Sequence, residues 1–106
     1  MEINFSQKIK QINGDTLVDS LNGVEKDVTL GDVCFSALTN LLILKGKTEE
    51  INGEEKFKNG MLAAEIYKNK KMNLKVEQIA NIKRRIGELY LPEVVVAAWN
   101  LLDPEK

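Results

Sequence analysis

The sequence predicts an α+β fold, with an N-terminal β-hairpin or small meander over residues 1–28 and about four helices forming a compact bundle over 29–106. Three observations carry this reading. Apolar residues alternate with polar ones from Ile3 to Lys10, a period of two with one greasy face. From Leu30 onward the apolar spacing changes to the helical three-and-four pattern. Turn and cap residues then divide that stretch into segments of ordinary helix length.

In the first region Ile3, Phe5 and Ile9 share one side, against Asn4, Ser6, Lys8 and Lys10. Asn13-Gly14-Asp15 supplies a turn, because Asn and Gly tolerate positive φ. Thr16-Leu17-Val18 reads as a short return strand, Asn22-Gly23 as a second turn, and Val24–Val28 as a third extended piece. Two strands alone are marginal in water, so the element must lie against the helices.

Thr29 with Asp32 forms a capping-box pair for the first helix. Its stripe is Leu30, Val33, Cys34, Ala37, Leu38, Leu41 and Leu44, widened by Leu42 and Ile43 and closed by Gly46 as C-cap. Lys47–Gly53 reads as a polar link. Asn52 with Glu55 caps a second helix, whose apolar face is Phe57, Met61, Leu62, Ala64, Ile66 and Tyr67. Gly60 inside it costs about 1 kcal/mol relative to alanine, and marks either a close approach or a later helix start. In the third helix Val76, Ile79, Ala80, Ile82, Ile86 and Leu89 form the stripe, with Gln78, Asn81, Arg84, Arg85 and Glu88 outside. Pro92 opens the last helix, Glu93 suits its positive end, and Asp103-Pro104 ends it.

The chain reads as a single domain, 1–106. At 106 residues it can bury roughly two-thirds of its unfolded surface without staples. Its 15 basic and 16 acidic side chains give a net charge of −1, which predicts no global attraction to nucleic acid or anionic lipid. One cysteine, Cys34, rules out an intramolecular disulfide and suits a reducing compartment. No signal peptide is visible, and the apolar runs Leu41–Leu44 and Val94–Trp99 are far short of the ~20 residues of a membrane span. The expectation is a soluble, cytoplasmic protein.

No catalytic machinery is legible. There is no histidine, so the commonest general base, proton shuttle and metal ligand are missing. Serine–histidine and cysteine–histidine nucleophiles and cysteine/histidine zinc sites are excluded with it. No glycine-rich phosphate loop occurs, and Asp15, Asp19 and Asp27 lack calcium-loop spacing. Glu49-Glu50 and Glu54-Glu55 are the densest acidic pairs. They read as solvated surface, with a carboxylate hydrolase as the residual catalytic reading. The expectation is a non-enzyme with no cofactor, no metal and no small-molecule substrate.

Two binding surfaces remain. The helix Pro92–Leu102 has almost no polar face, so it is either central in the core or partly covered by a partner. Trp99 and Val95, with Leu42 and Ile43 behind them, are the candidate protein-binding residues, for another protein or a second copy. The alternative is a nucleic-acid regulator using Lys70, Lys71, Lys75, Arg84 and Arg85, a basic stretch that also reads as solvated helix surface. The hairpin's outer edge could accept a strand, or Lys8 and Lys10 could guard it.

Val28-Thr29-Leu30-Gly31-Asp32-Val33 after a hairpin, then Glu54-Glu55-Lys56-Phe57 and Leu91-Pro92, resembles small proteins encoded by tailed phages and prophages. Lys75 departs from that pattern, standing where a serine or threonine cap is expected. The resemblance implies a phage or prophage origin and the hairpin-then-helices layout, but no assigned activity and no functional residues. With the absences above, it leads to a protein-binding accessory factor that acts by occupying a partner's surface, in virion assembly or by inhibiting a host protein.

Overall fold

Residues 2–21 and 24–103 are described in a computed structural model, and their elements alternate short strands with four helices. The order is β1 (Glu2–Asn4), β2 (Val18–Leu21), β3 (Val24–Asp27), α1 (Leu30–Thr39), β4 (Ile43–Leu44), β5 (Lys47–Thr48), α2 (Gly53–Lys68), β6 (Lys71–Asn73), α3 (Val76–Leu89) and α4 (Pro92–Leu102). The fold is α+β, as the change of period predicts.

The N-terminal region is wired differently from a meander. β2 and β3 do form an antiparallel hairpin, with Val18 opposite Asp27. The expected Asn22-Gly23 turn lies outside the described residues. β1 leaves this region and pairs with β6, placing Ile3 opposite Met72. The Phe5 N–H donates to the Lys70 carbonyl at 2.6 Å, and the Gly31 N–H to the Phe5 carbonyl at 2.9 Å. A Cβ at Gly31 would meet that carbonyl at 3.1 Å, tighter than most such contacts, so this crossing favours glycine. The alternation of Ile3, Phe5 and Ile9 is therefore real, but its greasy face seals the helical core rather than a sheet of its own. Turn geometry at Asn13-Gly14 holds, with Gly14 at φ 95° and a Lys10–Thr16 bridge behind it.

α1 is the central helix, touching α2, α3 and α4. Its capping box is present: Asp32 N–H donates to Thr29 Oγ1, and Thr29 N–H to Asp32 Oδ2. Leu30, Val33, Cys34, Ala37 and Leu38 are buried. Completely burying an aliphatic side chain such as Leu30 is worth about 1.5–3 kcal/mol.

The helix stops at Thr39, five residues before the expected end. Asn40 turns extended, and Leu41–Leu44 are not helical. Ile43-Leu44 pairs with Lys47-Thr48 around Lys45 (φ 53°) and Gly46 (φ 80°). Two consecutive positive-φ residues make the mirror-image turn that suits a tight hairpin. Gly46 is thus a hairpin residue rather than a C-cap, and the supposed polar link contains a strand.

α2 starts where Asn52 caps it, the Glu55 N–H donating to Asn52 Oδ1 at 2.8 Å. α3 begins at Lys75 with only half a box: the Lys75 N–H donates to Gln78 Oε1 at 2.8 Å. α4 begins at Pro92 and ends at Asp103, as drawn from sequence. It is not buried all round. Ala98 and Leu102 are buried, Val94, Val95, Ala97, Trp99 and Leu101 half-buried, and Val96 exposed. Among the described residues no helix is long and apolar enough to cross a membrane.

Candidate functional site: the outer face of helix α2

α2 is 16 residues long, and its side chains divide into two apolar faces. Leu62, Ala63 and Ile66 point inward, together with the buried Asn59, whose Oδ1 accepts from Asn81 Nδ2 at 3.1 Å. Phe57, Gly60, Met61, Ala64 and Tyr67 fall on the opposite side at 100° per residue, and all are exposed. Phe57 is 67% exposed, Met61 50% and Tyr67 81%. The sequence pattern joins both faces into one core stripe; the structure buries Leu62 and Ile66 of it and turns Phe57, Met61, Ala64 and Tyr67 to solvent. A Cβ at Gly60 would meet nothing within 4 Å, so neither a close approach nor a delayed helix start explains that glycine.

The charges of α2 are mixed in sign, with Lys56 and Lys58 close behind the first-turn acids and Glu65 one turn before the end. Glu54 and Glu55 occupy the first turn and Lys68 the last, with Lys70 and Lys71 just beyond. Both ends are favourable for the helix dipole. Glu54 approaches only Lys58 among the described cations, at 3.8 Å, and both are exposed. Such a pair contributes little.

At its C-terminal end the apolar face turns a corner. The Tyr67 ring meets Phe35 of α1 at 5.8 Å between centroids, tilted by 50°. Beyond them a cleft of about 850 Å³ runs between α1, the end of α2 and the root of the β2–β3 hairpin. Leu17, Val28, Tyr90 and Val94 give it apolar walls, with Lys26, Lys68 and Lys70 at its margin. Its acids are engaged: Asp27 pairs with Lys8 at 2.9 Å, and Asp32 caps α1. Burial pushes the Tyr90 phenol up, against the opposing pull of a hydrogen bond with Ser36, so it serves as a neutral hydrogen-bonding group. Cys34 is buried and pushed up to about 12, which keeps it a thiol. Among the described residues no three metal-ligating side chains converge.

The sequence-derived candidates are scattered. Leu42 is 1% exposed and belongs to the interior, while Ile43 on β4 is 70% exposed. Trp99 is wedged between α3 and α4. Its Nε1 donates to the Lys83 carbonyl at 3.0 Å, Lys83 Nζ lies 4.9 Å over the ring, and a Cβ at Gly87 would meet the indole at 3.2 Å. Val95 is half-buried beside it on the same helix. These four do not make one surface.

The basic set is dispersed as well. Lys75 and Arg84 are nine positions apart, about half a turn out of phase around α3. Arg85, placed outside by the sequence reading, is 1% exposed and is the largest wholly buried side chain. Its Nε donates to the Ala37 carbonyl (2.6 Å) and Nη2 to the Asn40 carbonyl (2.7 Å), satisfying acceptors at the end of α1. Nη1 and Nη2 grip the two oxygens of Glu49 at 3.2 and 2.6 Å. Glu49, read from sequence as solvated, has a side chain only 6% exposed. It also accepts from the Leu42 N–H at 3.0 Å. Burial alone would raise its carboxyl, but the hydrogen bonds from Arg85 and Leu42 and the nearby Arg85 and Arg84 charges hold it below the ordinary range. Glu54 and Glu55, the residual hydrolase pair, stand exposed in the first turn of α2.

Comparison with protein-family models, curated proteins and solved structures finds no match to this chain.

Proposed function

We propose that this chain is a non-catalytic protein-binding accessory factor of phage or prophage origin, working in the cytoplasm of the host cell. It acts by occupying a partner's surface, in virion assembly or in blocking a host protein. The observation that carries the binding role is the outer face of α2: three large apolar side chains exposed on one side of a helix whose other side fills the core. Continuous apolar surface of that kind is uncommon on a protein with nothing to bind, whereas singly scattered residues are not. Phe35 extends the face around the corner, giving two aromatic anchors at one end. The lack of histidine and the high pKa values of Cys34 and Tyr90 favour contact over chemistry. The phage assignment rests on the resemblance at Val28–Val33, Glu54–Phe57 and Leu91-Pro92.

Affinity capture from the native host, read by mass spectrometry, tests this reading. Phe57→Asp and Tyr67→Asp are expected to lose a partner that the wild type and Val95→Asp both retain. Capture untouched by either α2 substitution would sink it. A nucleic-acid role would fall back on Lys70, Lys71, Lys75 and Arg84, since Arg85 is committed to Glu49. It predicts a salt-sensitive shift in a low-salt polarisation assay.

A further inference from the structure

We propose that Asn52-Gly53, at the start of α2, is a site of spontaneous deamidation, and that the fold spares the same dipeptide at Asn59-Gly60, two turns along the same helix. This goes beyond the binding role and does not depend on it. Asparagine is among the chemically labile residues, and a following glycine puts no side chain in the way of its own backbone nitrogen. In the reaction the deprotonated Gly53 nitrogen attacks Asn52 Cγ. An N–Cγ bond forms, the Cγ–Nδ2 bond breaks, and ammonia leaves after taking up a proton from water, closing a cyclic imide. Water then opens the ring. Opening at Cγ leaves an ordinary aspartyl residue; opening at the backbone carbonyl leaves an isoaspartyl one, whose main chain runs through the former side chain.

The surroundings of this dipeptide decide where the attack is open. Asn52 and Gly53 are both exposed. Asn52 is extended (φ −75°, ψ 170°) and follows a link without regular structure, Glu50-Ile51, so turning about its Cα–C bond swings that link rather than the helix. Its carbonyl, which accepts from the Lys56 N–H at 3.0 Å, stays with the helix. Gly53 is the first residue of α2, where N–H groups have no intrahelical acceptor, so its nitrogen is not held by the ladder. The restraint given up is the cap bond from the Glu55 N–H to Asn52 Oδ1. Asn59-Gly60 differs on each point. Asn59 is 8% exposed, its Oδ1 accepts from Asn81, and the Gly60 nitrogen lies inside the helix. Bringing that nitrogen to Cγ requires opening the middle of α2, a far rarer excursion than fraying of an end. Asn13-Gly14 lies between the two: it is exposed, but the Gly14 N–H donates to the Gln11 carbonyl and Asn13 Oδ1 accepts from the Asp15 N–H, both at 2.9 Å. The Asn22-Gly23 pair lies outside the described residues. At Asn52 the aspartyl product keeps an acceptor for the Glu55 N–H at the positive end of the helix. The isoaspartyl product puts an extra carbon into the main chain and loses that acceptor, so the start of α2 weakens as the chain ages.

The test holds the full chain in mildly alkaline buffer over days and digests samples afterwards. Mass spectrometry maps amide-to-acid conversion, with aspartyl and isoaspartyl peptides separated chromatographically. Conversion is expected to accumulate at Asn52 in the folded chain while Asn59 stays intact, and to reach both at comparable rates in urea. Gly53→Ala, whose Cβ would meet nothing within 4 Å, is expected to lose the Asn52 product and keep the fold by circular dichroism. Conversion of Asn59 as fast as Asn52 in the folded chain, or of Asn52 in urea alone, overturns the proposal. So does conversion of Asn52 at an unchanged rate in Gly53→Ala, because the ring would then not be the route.

Discussion

The Arg85–Glu49 pair and the outer face of α2 are inverted with respect to each other. In one region two full charges are sealed inside; in the other three large apolar groups stand in solvent. The difference shows that side-chain polarity is subordinate to where a helix is phased and what its backbone leaves unsatisfied. α1 ends at Thr39 with open carbonyls and no basic residue in its own last turn. Arg85 reaches across from α3 to supply the donors, and Glu49 neutralises the charge so introduced. The inner pair is demanded by the fold. The outer face of α2 is not, because its helix is already anchored by Leu62, Ala63 and Ile66. Perturbing the first should cost stability, and perturbing the second should cost only association.

The largest expected effect is Arg85→Ala. It leaves the buried Glu49 carboxylate with the Leu42 N–H but no counter-charge, and strips the Ala37 and Asn40 carbonyls of their guanidinium donors, so destabilisation of about 3–5 kcal/mol is expected in urea or thermal unfolding. Arg85→Met, which fills the volume, cannot rescue it while Glu49 remains. The double change with Glu49→Leu should recover much of the loss, and a double-mutant cycle measures the coupling. A full loss persisting in the double variant would mean that the α1 carbonyls, not the charge pair, dominate.

Glu49→Gln comes next, at roughly 1.5–3 kcal/mol, since the Arg85 guanidinium loses its counter-charge and an amide nitrogen replaces one of the two oxygens that accept from it. A pH prediction accompanies it. Because the folded carboxyl is held below its unfolded value, its stabilisation is present above the unfolded pKa, near 4.3, and is lost as pH falls through the folded one. Denaturant midpoints of the wild type should therefore drop below about pH 4 more steeply than those of Glu49→Gln. Equal slopes would place the acid sensitivity elsewhere.

What could be read from sequence was local. The caps at Thr29 and Asn52 and the boundary at Pro92 depend on neighbours within four residues, and all are where the sequence put them. The β1–β6 pairing was not legible, because Ile3 and Met72 are joined by nothing in either segment's pattern. Leu41–Leu44 looked helical because an apolar run has no period, and the decisive Lys45-Gly46 turn is a weak signal. Arg85 could have been found, since it sits in phase with Ile82, Ile86 and Leu89; its charge argued it to the surface instead. For α2 no periodicity argument could choose, because both faces are apolar and only the surrounding helices decide which is used.

Gly60→Ala is a smaller effect of opposite sign. With open space above the Cα, alanine should stabilise the isolated fold by about 0.5–1 kcal/mol through helix propensity. Its methyl lands on the outer face of α2, so a raised melting temperature of the chain alone should accompany weaker capture of the partner.

The smallest change is expected for Phe57→Ser, and it sharpens the comparison most. Phe57 is 67% exposed, so removing it should move the stability of the dilute chain by no more than about 0.5 kcal/mol. A partner that binds only the folded state stabilises it by mass action, so adding the captured partner should raise the wild-type melting temperature. Phe57→Ser should keep the value of the chain alone and lose the rise. If instead it melts several degrees lower with and without the partner, the ring supports the fold itself, and the outer face of α2 is a structural surface like the rest.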